Sequence, residues 1–89
     1  LSIAVKNGSG AEGVAGKGAA ILKGFGYNVV STGNADNFDY EGVTIKMKKE
    51  SSKFLDLLKK DLSKDYTITA SSSDLPSDSP TDVLIIIGK

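Results

Sequence analysis

Two stretches of almost equal length set the limits on how this chain can fold. The stretch from Ile3 to Tyr27 advances 24 positions and that from Val43 to Tyr66 advances 23. Each starts with a short strand-like run, passes into a helix-like segment and returns to a strand-like one. The strand runs are residues 3–7, 27–32, 43–48 and 66–70. Val43-Thr44-Ile45-Lys46-Met47-Lys48 alternates apolar and polar, as a half-buried strand does. Residues 13–24 place Val14, Ala15, Gly18, Ala19, Leu22 and Phe25 on one helical stripe. Gly24 or Gly26 ends that helix in a left-handed conformation. The second helix is expected after a Ser51 or Ser52 cap. It should turn Phe54, Leu55, Leu57, Leu58 and Leu62 inward. Val83-Leu84-Ile85-Ile86-Ile87 is an unbroken apolar run, which predicts an interior fifth strand covered on both faces. Each half predicts a right-handed crossover between parallel strands. The expected fold is a small single α/β domain over residues 1–89, ordered β-α-β-β-α-β-β. Its two helices pack on a mixed, mostly parallel sheet.

The first strand-to-helix turn imitates a cofactor site. Gly8, Gly10 and Gly13 spell G-x-G-x-x-G between a strand and a helix. A dinucleotide unit also needs an acid near the end of its second strand, where this chain has Ser31 and Thr32. It needs another helix before the third strand, where only the polar loop 33–42 is available. A P-loop fails on spacing as well. The turn therefore reads as structural, with Gly8 and Gly10 at positive φ and Asn7 or Ser9 bonding local amides. No cofactor is expected. Asn7-Gly8-Ser9 is also a glycosylation sequon in letters, and is read as turn chemistry.

Composition removes most catalytic options. The chain has no Cys, His or Arg, and eleven Lys balance eleven acids. Thiolate and imidazole metal sites, His-based triads, disulfides and bidentate guanidinium grips are excluded. Zero net charge argues against a dedicated nucleic-acid binder. No apolar run approaches the ~20 residues of a membrane span. A Ser9–Lys17 pair is the remaining nucleophile–base option, and nothing in its spacing requires it. Asp36, Asp39 and Glu41 lack the spacing of a calcium loop and read as solvated loop acids. Phe38 and Tyr40 sit in that loop, either as lids over the core or as exposed platforms for a sugar. Residues 46–64 carry seven Lys against Glu50, Asp56 and Asp61, a local net of +4. That is a solvated face or a weak dock for an anionic polymer.

A family resemblance runs through nearly the whole chain. Asn7-Gly8-Ser9, then Gly13-Val14-Ala15, then Leu22 with Gly26-Tyr27-Asn28-Val29, then Gly33-Asn34-Ala35, resemble the LytR C-terminal domain family. Thr44-Ile45 and the closing Asp82-Val83 to Gly88 fit too; Gly16 and Gly18 in helix one depart from the pattern. The resemblance implies an extracytoplasmic domain of a Gram-positive-type envelope, cut from a longer, membrane-anchored protein. Such domains often follow an LCP phosphotransferase domain, and their two-βαβ layout is similar to that of peptidoglycan-binding SPOR domains. The expected role is a non-catalytic accessory module. It would bind peptidoglycan or an anionic wall glycopolymer, or position a glycopolymer-ligating neighbour. The alternatives are a partner-protein or oligomerisation domain and a small hydrolase. The candidate binding residues are Asn7, Ser9 and Gly10 in the turn, with Asn34 and Tyr40 in the loop beside it. Both segments follow the ends of adjacent parallel strands, where open α/β sheets place ligands.

Overall fold

The computed structural model describes residues 1–89. The elements run β1 (Ser2–Asn7), α1 (Val14–Gly24), β2 (Asn28–Asn34), β3 (Val43–Lys48), a 3-10 segment (Lys49–Phe54), α2 (Leu55–Leu62), β4 (Ile68–Leu75) and β5 (Val83–Ile87). The sheet order is β2-β1-β5-β3-β4. Pairings β1–β2, β1–β5 and β3–β4 are parallel, and β3–β5 is antiparallel. This is the expected α/β class with a mixed, mostly parallel sheet. β5 lies at the centre and is the only strand that joins the two βαβ units within the sheet.

The core occupies one face of that sheet. Ile3 and Val5, Val43, Ile45 and Met47, and Val83, Ile85 and Ile87 pack there against Ala15, Ala19 and Leu22 of α1 and Leu58 and Leu62 of α2. Both helices thus cover the same face. The other face carries Ala4, Lys6, Thr44, Lys46, Leu84 and Ile86, bordered only by loops. Coverage of β5 is accordingly unequal. Ile86 is buried beneath a loop, while Leu84 remains half-buried.

Gly18 of α1 serves close packing, whereas nothing lies within 4 Å of a side chain built at Gly16. A side chain at Gly18 would run into Ile87, with Val5 Cγ1 only 3.4 Å away. The glycine lets the helix backbone settle onto β5 and β1, which offsets the roughly 1 kcal/mol of helix propensity it loses relative to Ala. The helix ends in a Schellman motif. Gly26 at φ 93° donates its N–H to the Lys23 carbonyl (2.9 Å), and Tyr27 donates to that of Leu22 (3.1 Å).

Several local expectations are corrected. Neither Ser51 nor Ser52 caps helix two with its side chain; the segment begins as a 3-10 turn, with Ser51 buried. Leu57, expected inside, is 50% exposed because the α-helical register starts only at Leu55. Phe25 is also exposed, with the Lys64 ammonium 5.3 Å from its ring centre. Strand β2 is displaced toward Asn34, and β4 continues through Ser71-Ser72-Ser73-Asp74 to Leu75 because β3 supplies a pairing partner over that length. Val30 in β2 and Thr69 in β4 are each the extra residue of a bulge against the inner strand. A bulge twists an exposed edge away from further pairing.

Candidate functional site

The site is built from the turn after β1. The Asn7 side-chain oxygen accepts the Ser9 N–H (2.9 Å) and the Ser9 hydroxyl (2.8 Å). Asn7 Nδ2 donates to the Ala11 carbonyl (2.6 Å), and the Ala11 N–H donates to Ser9 Oγ (3.0 Å). The asparagine is 8% exposed, so its amide serves the turn from inside the protein. The expected Asn7 and Ser9 turn chemistry is therefore present. The Ser9 hydroxyl is committed to Asn7, and no hydrogen bond links it to Lys17.

The glycines divide the work differently from expectation. Gly10 has φ 81°, but Gly8 does not adopt a positive φ. Gly8 is needed for space: a side chain there would stand 2.7 Å from both Ile86 Cγ2 and Tyr40 Cδ2. Those two side chains occupy the ground a phosphate would need beside this glycine.

The loop after β2 is tied onto the turn. Asn7 and Asn34 are register partners at the ends of β1 and β2. The Ala35 N–H donates to the Asn7 carbonyl (2.9 Å), and the Tyr40 N–H to that of Gly8 (3.2 Å). The Phe38 ring lies against Gly10, 3.5 Å from where a side chain would begin. Tyr40 thus acts as the lid over Ile86. Its hydroxyl donates to Asp36 Oδ1 (2.9 Å). That bond, with lesser help from burial and the Asp36 charge, raises the Tyr40 phenol above its ordinary range.

This arrangement leaves a basin of about 200 Å³ on the uncovered sheet face. Leu84 and Ile86 form its floor, and Lys6, Lys46, Asn34 and Tyr40 form its walls, with Asp36 at the rim. A second hollow of about 180 Å³ continues from it, shares Lys6 and Leu84, and ends at Leu75, Ser79 and Pro80. Of the candidate residues, Asn34 and Tyr40 line the basin. Asn7, Ser9 and Gly10 do not; they anchor the loop that forms its wall. Asp36, Asp39 and Glu41 do not gather into a metal-holding group.

Sequence reasoning missed Lys6, and counted Lys46 only among the lysines of residues 46–64. The alternation in residues 43–48 does place Lys46 opposite Val43, Ile45 and Met47. What it lacks is the topology that sets β5 between β1 and β3 and leaves that face open. Neither lysine has a carboxylate within ion-pair distance; the chain's one salt bridge joins Lys48 to Asp82 at 3.9 Å.

The family model described as LytR cell envelope-related transcriptional attenuator matches residues 1–89. The solution structure of the C-terminal domain of RV0431 superposes with a TM-score of 0.58 at 26% identity, covering 99% of this chain and 71% of that one. No curated protein matches the chain. No helix is long and apolar enough to cross a membrane.

Proposed function

Because the chain belongs to the LytR cell envelope-related transcriptional attenuator family, we propose that it is a non-catalytic accessory module of an extracytoplasmic envelope protein that binds wall glycan on its uncovered sheet face. Bound there, it holds a glycopolymer-ligating neighbour against the wall of a Gram-positive-type cell. The basin beside Tyr40 supports this reading most directly. Its floor of Leu84 and Ile86 suits the apolar face of a sugar ring, and Asn34 and the lysines offer partners to hydroxyl and anionic groups. It also lies where two parallel strands end side by side. The turn residues Asn7, Ser9 and Gly10 contribute by fixing the loop.

Retention on purified wall sacculi at low salt tests this. Wild-type protein is expected to be retained, and Asn34→Ala with Tyr40→Ala to be released. A wild-type domain that stays in the supernatant removes the glycan reading.

A partner-protein reading has an observation of its own. On the helix side, Leu1, Phe54 and Leu57 border a shallow hollow of about 230 Å³. Leu57→Lys would abolish capture of a partner there and leave sacculus binding intact.

A further inference from the structure

The two halves of the sheet are related by an approximate two-fold axis through Ile85. Ile85 pairs with Val5 on one side and Ile45 on the other. Reading outward along the register, Ile3 corresponds to Val43, Ala4 to Thr44, Val5 to Ile45 and Asn7 to Met47. The second strands follow suit, with Val29 matching Ile68, the bulged Val30 matching Thr69, and Gly33 matching Ser72. Among these strand positions one pair is identical: Lys6 and Lys46. Both lie on the uncovered face. Lys6 stands beside Ile86 and Lys46 beside Leu84, one on each flank of β5.

Their setting is unusual for solubilising lysines. Both are half-buried, both line the same basin, and neither forms an ion pair. Asp36, the acid nearest the basin, already accepts the Tyr40 hydroxyl. Gly33 leaves room for Lys6 to lie across β2, its Nζ 3.2 Å from where a Gly33 side chain would begin. Two strand spacings across and two residues along the sheet set the lysine backbones about 12 Å apart. Two lysines on opposite flanks of β5 can hold separate charges of one chain. Lysine also suits phosphate as a point charge, and arginine forks for carboxylate are missing from this protein.

We infer that the uncovered face binds a linear, base-free polyanion of repeating phosphate groups, with Lys6 and Lys46 each taking one of its charges across β5. This rests on the proposed reading of that face as the ligand surface and names the ligand's chemistry. Because the two cations are related by the two-fold axis, the strand can lie in either direction and still meet both lysines.

The test uses inorganic polyphosphate and the folded domain, with orthophosphate at equal phosphorus, an oligothymidylate of equal charge and an uncharged N-acetylglucosamine oligomer as comparators. Polyphosphate is expected to bind and orthophosphate not to. Lys6→Gln and Lys46→Gln should each weaken polyphosphate about five- to tenfold, by similar factors. The slope of log affinity against log salt should fall by about one for each. Lys59→Gln, on α2 across the sheet from the basin, should change nothing beyond general screening. Amide shifts in the wild-type protein should centre on Lys6, Lys46 and Leu84, a readout that needs no variant to fold. Equal losses in Lys59→Gln, equal binding of orthophosphate, or tighter binding of the oligothymidylate would overturn the inference. Binding of the uncharged oligomer alone, at shifts near Asn34 and Tyr40, would overturn it while leaving the glycan reading standing.

Discussion

The Asp82 carboxylate accepts both the backbone N–H of Ser2 (3.0 Å) and its hydroxyl (3.2 Å), and the Asp82 N–H returns a bond to the same hydroxyl (3.0 Å). The two residues are 80 positions apart. Lys48 adds an ammonium at 3.9 Å and donates its N–H to the Asp82 carbonyl (2.9 Å). One residue therefore ties together the start of β1, the start of β5 and the end of β3.

This triple tie has a pH signature. The backbone N–H of Ser2 above all holds the Asp82 carboxyl below its ordinary range; burial opposes it, and the Ser2 hydroxyl and then Lys48 add to the lowering. A lowered folded-state pKa contributes stability that is present above the unfolded value, about 3.9, and lost as pH falls through the folded one. Asp82→Asn should melt below wild type at neutral pH, and the gap should close as pH falls toward about 2. Melting curves followed by circular dichroism check this; a gap that persists in acid contradicts it.

Tyr27 titrates in the opposite sense. Burial, then its hydrogen bond to Asp61 Oδ2 (2.6 Å) and that residue's charge, push the phenol well above its ordinary range. A raised pKa contributes stability that is complete below about 10 and lost as pH climbs toward the folded value. Tyr27→Phe should cost about 1 kcal/mol at pH 7, because the pair is only partly buried and a hydrogen bond contributes about that much net. Its stability should decline less steeply than wild type in alkali, read from melting points between about pH 8 and pH 11.

Two helix glycines separate propensity from packing. Nothing lies within 4 Å of a side chain built at Gly16, so Gly16→Ala should stabilise by about 0.5–1 kcal/mol. Gly18→Ala gains the same propensity but drives a methyl into buried Ile87, an overpacking cost of about 1–3 kcal/mol. Urea denaturation should rank Gly16→Ala above wild type and Gly18→Ala below Gly16→Ala by that overpacking cost.

Removing the Asn7 side chain should loosen the binding wall from a distance. Asn7→Ala leaves the Ser9 N–H and the Ala11 carbonyl without their partners, a cost of about 1–3 kcal/mol. Hydrogen exchange should rise at Ala35 and Tyr40, whose amides donate to the Asn7 and Gly8 carbonyls, before it rises in β5. Unchanged exchange in the loop would show that the turn does not hold it.

Much of this architecture was legible residue by residue. Periodicity of two in residues 43–48, the apolar block at 83–87 and the glycines flanking Phe25 are local signals, and each became the element it indicates. Asn7 and Ser9 were readable because an Asx-type turn is settled within four residues. The extension of β4 through three serines and Asp74 was not, since pairing with β3 overrides their poor strand propensity. Leu57 was misplaced because a 3-10 turn delays the helical phase. Lys6 and Lys46 become neighbours only when β5 is threaded between strands 40 residues apart, and no local pattern carries that.

The position of β5 also governs how the domain can be assembled. The first and second βαβ units never pair with each other directly. Until residues 83–87 dock, β1 and β3 each present a bare edge and a half-filled interior. Contacts between such distant segments are slow to form. Closure is thus a late, concerted event: a chain in synthesis stays open to proteases and chaperones until residues 83–87 arrive, and then closes at once.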